Sequence, residues 1–199
     1  MATTVLVTLG TDHHRFDRLL GWFDTWLAGT EADVHLVVQH GSTPLPLGMA
    51  SDPRVTAFDL VPHDDLVAAM VASDVVVVQG GPGSVMDALE CGRLPIAVPR
   101  LARYREVVDD HQVAFVERMS QELMAVHVSS EPELVDVLDA AVEDPSAYAV
   151  PPRRPDLTEV SERLGDWVDL MVAERPRRGL LAWLRRRVPA PRSGSRTAV

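Results

Sequence analysis

Lysine is absent from this chain of 199 residues, and all 19 basic residues are arginine. A Walker-type phosphate loop is therefore excluded, since that motif ends on a lysine that reaches the terminal phosphates. Cysteine occurs once, as Cys91, which rules out a disulfide framework and a thiolate metal cage. No apolar run approaches the roughly 20 residues that span a bilayer. The opening MATTVLVTLG reads as a strand, without the basic region and long apolar stretch of a secretion signal, so a cytoplasmic protein is expected. Acidic residues are missing after Glu174, whereas eight arginines fall in the last 25 positions. The net charge of −10 thus combines an acidic body with a basic tail. An acidic body excludes nucleic acid as the main ligand, because phosphate contacts need a basic face.

The first 145 residues alternate short β-rich runs with amphipathic segments. This pattern predicts an α/β fold with a parallel sheet and helices on both faces. Strands are expected at Thr4–Leu9, Val34–Gln39, Val55–Leu60, Asp74–Gln79 and Leu94–Val98. The four consecutive valines of Asp74–Gln79 mark a central strand buried on both faces. Helices are expected at Phe16–Leu27, Leu66–Val71 (capped by Asp64), Ser84–Cys91, Gln112–Glu122 and Glu131–Val142, with a turn-prone stretch at His40–Gly48. Proline-rich Pro145–Pro155 reads as a linker or wrap-around segment, followed by a packing helix at Thr158–Ala173. The expected division is a body over 1–145, a linker and packing helix over 146–175, and a basic tail over 176–199 with a short helix near Gly179–Val188.

Open parallel sheets bind ligands at the carboxyl ends of their strands. Two such ends carry glycine: Gly10-Thr11, and Gly80-Gly81-Pro82-Gly83-Ser84 after the valine strand. Glycines let a backbone approach a bulky anion, and the free N–H groups and dipole of the following helix favour diphosphate there. Taken alone, such a turn also serves simply to join a strand to a helix. Gly81-Pro82-Gly83 is followed by Ser84-Val85-Met86 and does not complete a GxGxxG dinucleotide fingerprint. Asp87, early in the helix, either complements the dipole or accepts hydrogen bonds from ribose hydroxyls.

The segment DVVVVQGGPGSVMDALECGRLPIAVPR, followed by Asp109-Asp110-His111-Gln112, resembles the C-terminal donor domain of family 28 glycosyltransferases. That family includes the MurG-like N-acetylglucosaminyltransferases. The resemblance extends to the small catalytic subunit of two-part UDP-N-acetylglucosamine transferases and its PssE-type exopolysaccharide relatives. It is carried there by VLVTLGT, Phe16-Asp17 and Val38-Gln39-His40-Gly41. It implies a Rossmann-like sheet forming a single GT-B half-domain. It also implies a UDP-sugar donor with Gly10 and Thr11 under the diphosphate, and Gly81, Gly83 and Ser84 donating to it. Asp87 would hold the ribose, the Val61–His63 region (His63 included) would contact the uracil, and His111 with Gln112 would lie near the donor sugar. Gln79 stands where relatives carry a histidine at the diphosphate, and Asp87 is one methylene shorter than their glutamate.

His111, by its position in the Asp109–Gln112 segment that carries the resemblance, and His13, just after the first loop on the ligand edge, are the candidate catalytic residues, since an imidazole can serve as a base or donate to a phosphate. His14 reads as an exposed loop or helix-start residue. His35, His40, His63 and His127 show no metal-ligand spacing and are expected to be structural, and neither a metal nor another cofactor is expected. The acceptor wall of a GT-B cleft has no counterpart in this sequence. The expectation is a membrane-anchored partner subunit that supplies it for a lipid-linked acceptor. Leu180, Leu181, Trp183 and Leu184 before Arg185-Arg186-Arg187 would suit the tail to an anionic membrane surface, with the protein peripheral at the inner face. The competing reading is a non-catalytic nucleotide-sugar-binding or regulatory subunit.

Overall fold

The computed structural model describes residues 2–153. The helices expected at Thr158–Ala173 and Gly179–Val188, and the basic tail, lie outside them. The chain divides into two units, Met1–Arg154 and Pro155–Val199, and the described residues all belong to the first.

Six strands build one sheet: β1 (Thr3–Thr8), β2 (Val34–Gln39), β3 (Val55–Phe58), β4 (Val75–Gln79), β5 (Ile96–Val98) and β6 (Val126–His127). All neighbours pair in parallel, in the order β3-β2-β1-β4-β5-β6. The helices are α1 (Asp17–Gly29), α2 (Leu47–Ser51), α3 (His63–Ala72), α4 (Pro82–Glu90), α5 (His111–Gln121) and α6 (Glu131–Glu143).

Alternation along each strand divides the core in two. Val5, Val7, Val75, Val77, Ile96 and Val98 pack with Leu19, Leu20 and Phe23 of α1 and Leu134 and Leu138 of α6. Leu6, Val76, Val78 and Ala97 face the other way, onto Met70 of α3, Val85 and Leu89 of α4, and Val116 of α5. The valine run therefore serves both layers, as a doubly covered strand must. Each fully buried valine contributes on the order of 1.5–3 kcal/mol.

Several boundaries differ from expectation for identifiable reasons. Pro82 takes the first position of α4, where a missing N–H costs nothing, so the helix starts two residues before Ser84. Asp64 is not a cap: Pro62 precedes α3, and Asp64 sits inside its first turn, where it complements the dipole. Helix α2, with only Met49 buried, falls within and beyond the stretch expected as a turn, and β6 is two residues long. Pro145–Pro155 follows the wrap-around alternative through residue 153. Leu94 N–H donates to Tyr148 O at 2.8 Å, Val150 N–H to Gly92 O at 2.9 Å and Arg153 N–H to Leu89 O at 3.0 Å.

Candidate functional site

Strands β1 and β4 are neighbours, yet β1 leads to α1 on one face and β4 to α4 on the other. Their departing loops part at the carboxyl end of the sheet and open a crevice there, the switch point of a 3-2-1-4-5-6 order. The two glycine loops singled out in the sequence are the two walls of that crevice.

The first loop is fixed from below by Gln39, which is 2% exposed. Gln39 Oε1 accepts from Gly10 N–H at 3.0 Å and from Thr8 Oγ1 at 2.6 Å. Gln39 Nε2 donates to Gly10 O at 3.1 Å and to Asp59 O at 2.8 Å. The Gly10 amide is thus engaged within the protein, and Gly10 serves the crevice by its shape. Its φ is +73°, and a Cβ there would overlap Gln79 Nε2.

Beyond exposed Thr11, Asp12 Oδ1 accepts from His14 N–H at 2.8 Å and lies 2.7 Å from His14 Nδ1. Burial pushes the Asp12 carboxyl up, but the His14 hydrogen bonds and the nearby Arg100 charge outweigh it and hold it below its ordinary value. His13 stands out into solvent, 87% exposed, with its ring 4.0 Å from that of His14. Asp12, His13 and His14 have ligand atoms all within 4.8 Å of one another and form the group among the described residues that could share a metal ion.

The second loop uses one of its own amides to turn. Gly81 N–H donates to Gln79 O at 2.7 Å, so it is not a donor to the crevice, contrary to the role expected of it. Pro82 has no N–H. The Gly83 and Ser84 amides, in the first turn of α4, have no helical acceptor and no carbonyl partner among the described residues. Gln79 lies between the walls, with Nε2 donating to Ser84 Oγ at 3.1 Å. Since Ser84 Oγ accepts that bond, its own hydrogen is free for another acceptor. Gln79 Oε1 is buried without a hydrogen-bond partner among the described residues.

One turn further along α4, Asp87 Oδ2 lies 3.8 Å from His63 Nδ1 at the start of α3. Burial pushes the Asp87 carboxyl above its ordinary value, and the His63 imidazole pulls weakly the other way. The structure thus brings together two residues 24 positions apart, the expected uracil-side and ribose-side contacts. His111 opens α5 with its Nδ1 2.5 Å from Asp109 Oδ1, and its side chain is exposed. Gln112 is drawn inward instead: its Oε1 accepts from Arg100 N–H at 3.1 Å. His35 and His40 have structural partners, Thr56 Oγ1 and Thr43 O, each at 2.9 Å.

Reading the sequence missed the strut behind these loops. Glu106, 3% exposed, holds Arg18 through paired bonds of 2.9 and 2.8 Å and accepts from Leu101 N–H at 2.9 Å. Arg18 also donates to Pro99 O at 2.8 Å. Arg100 lies beneath the first loop. In the sequence Arg18 is an ordinary charged helix residue and Arg100 and Glu106 ordinary charged loop residues, and nothing local marks them as buried. Among the described residues, one cavity of about 500 Å³ is lined by Thr3, Glu31, Asp33 and Asp139, and another of about 560 Å³ by Arg18, Pro99, Asp110 and His127.

An open parallel sheet with phosphate-suited loops at its switch point defines a Rossmann-like nucleotide-binding domain. The chain belongs to the glycosyltransferase family 28 C-terminal domain family, whose model matches residues 4–163. Among solved structures it is similar to Acinetobacter baumannii MurG, with a TM-score of 0.57 and 18% identity over 74% of this chain and 43% of that one. It is also similar to the kitacinnamycin glycotransferase, with a TM-score of 0.56 and 23% identity over 72% of this chain and 35% of that one. The chain thus spans less than half the length of either protein. The solution structure of ALG13 matches with a TM-score of 0.48 and 16% identity, over 82% of this chain and 94% of that one. No curated protein sequence matches the chain. No helix among the described residues is long and apolar enough to cross a membrane.

Proposed function

We propose that this chain binds a UDP-sugar, a UDP-hexose such as UDP-N-acetylglucosamine, and transfers the sugar to a lipid-linked or polysaccharide-precursor acceptor with a membrane-anchored partner subunit. The observation that carries this reading is that the Gly83 and Ser84 amides, at the head of α4 in a family 28 C-terminal domain, have no partner among the described residues. Negative charge grows on the departing UDP during transfer. Fixed N–H donors, the Ser84 hydroxyl and the helix dipole are suited to receive it without reorganising. That supply needs no divalent ion, so UDP binding should persist in a chelator.

The nucleoside would lie toward α3, with the ribose on Asp87 and the base near His63. The sugar would reach toward α5, where His111 Nε2 is the proton-accepting nitrogen nearest the expected donor sugar. His13, on the opposite wall, is the second candidate for proton transfer or phosphate contact. The crevice mouth is open: Thr11, His13, His63, Gly83 and His111 are all exposed. An acceptor-binding wall brought by a partner would close it and exclude water from the reacting centre.

The test is co-expression with a candidate membrane-anchored partner, followed by an assay of UDP release from UDP-sugars with a polyprenyl-linked acceptor. Turnover that requires both chains is the expected result. A complete pair that binds UDP-sugar without turnover would instead identify a nucleotide-sugar-binding subunit, and failure to bind any UDP-sugar would remove the reading altogether.

A further inference from the structure

Arg100 stands two residues beyond β5 and is only 1% exposed. Its Nη1 donates to His14 O at 2.8 Å and to Glu106 O at 3.0 Å, and its Nη2 donates to Leu9 O at 2.8 Å. The Phe16 ring covers the guanidinium, 4.7 Å from centroid to Cζ. All three acceptors are neutral carbonyls, and no carboxylate comes within 4.0 Å of Arg100 among the described residues. Both oxygens of Glu106 are turned instead to Arg18 and Leu101. Arg100 Nε is buried with no hydrogen-bond partner among the described residues.

A cation sealed from water with no direct ion pair is costly, although the Asp12 and Glu106 carboxylates act on Arg100 from a distance. An amide side chain, with two N–H donors and an oxygen of its own to satisfy, could not serve all three carbonyls, so the guanidinium fork is what this geometry calls for. The position supplies a reason. Leu9 and His14 bracket the Gly10–His13 loop, so the guanidinium grips both ends of the wall that faces the Gly83 and Ser84 amides. An anion seated in the crevice would add opposite charge from above. Asp12, the nearest carboxylate of the loop, is already committed to the His14 amide and ring.

We infer that Arg100 is a positioning residue for the diphosphate: its planar fork sets the shape of the first loop, and its charge, in direct contact with no carboxylate among the described residues, favours an anion above that loop. This rests on the nucleotide reading of the crevice and extends it to a residue that touches no ligand. It separates the phosphate half of the ligand from the nucleoside half, which Asp87 and His63 would hold independently.

The experiment compares UDP with uridine, titrated into wild type, Arg100→Lys and Arg100→Gln and followed by NMR. Lysine keeps the charge but cannot span three carbonyls, and glutamine keeps neutral donors without the charge. UDP affinity should fall about tenfold for Arg100→Lys and further for Arg100→Gln, while uridine affinity stays level in both. Equal weakening of UDP and uridine would reduce Arg100 to a structural role, and unchanged UDP affinity would leave it none at the site. Either result overturns the inference while the nucleotide reading stands; if wild type binds neither ligand, both fall. Should the variants fail to fold, the wild-type Arg100 Nε–H signal, sheltered from solvent exchange, replaces them. UDP should shift it and uridine should not, and a signal indifferent to UDP rejects the idea.

Discussion

Replacing Gly10 by alanine should lower UDP affinity on the order of a hundredfold, the scale at which small misplacements in a binding site are felt. Two independent effects act at this position. The backbone has φ of +73°, a left-handed conformation that costs a residue with a side chain about 1–2 kcal/mol. The added Cβ would also drive Gln79 Nε2 from its place between the walls. Gln79 would then leave Ser84 Oγ, and the crevice would lose its hydroxyl geometry together with its width. The sheet itself is anchored elsewhere, so circular dichroism should remain that of the wild type while the thermal midpoint falls by several degrees. Glycine 81, whose Cβ would approach the same Nε2 at 3.2 Å, offers a milder version of the same test. A Gly10→Ala protein with wild-type UDP affinity would mean that ligand does not enter between these loops.

The second large effect concerns Asp87. A hydrogen bond to a charged group is worth about 1.5–3 kcal/mol, so Asp87→Ala should weaken UDP about tenfold to a hundredfold. The loss should carry over to uridine, which shares the ribose, in contrast to the Arg100 variants. Stability should move the other way. Burial raises the folded pKa of Asp87 above its unfolded value, so the ionised form is a cost to the fold. Its contribution favours folding below the unfolded pKa and is lost as pH rises through the folded pKa. Asp87→Asn removes that titration. Its thermal midpoint relative to wild type should therefore rise from acid toward neutral pH, while its UDP affinity falls. Thermal scans at pH 4 and pH 7 check this, and an asparagine variant that loses ground toward neutral pH contradicts it.

What could be read in advance follows the range of the interactions. The four valines announce a central strand because alternation on a doubly covered strand leaves no polar face, and the glycine loops stand out because few residues tolerate their backbone. The juxtaposition of His63 with Asp87 followed from the resemblance, not from spacing. The use of each glycine was not legible. Only Gln39, 29 residues downstream, shows that the Gly10 amide is engaged, and the short turn at Gln79–Gly81 does the same for Gly81. Arg100 and Glu106 sit in a loop whose composition reads as exposed, and their burial comes from α1 and the first loop closing over them. Helix α2 buries one residue and β6 spans two, too little for any periodicity to register.

The central claim is most directly tested by following individual backbone amides during titration with UDP. The Gly83 and Ser84 N–H signals should move downfield together and saturate with the binding curve, because they gain charged acceptors. The Gly81 and Gly10 amides, already bonded within the protein, should respond far less. Saturable binding of UDP that leaves Gly83 and Ser84 in place would put the diphosphate elsewhere and contradict the account.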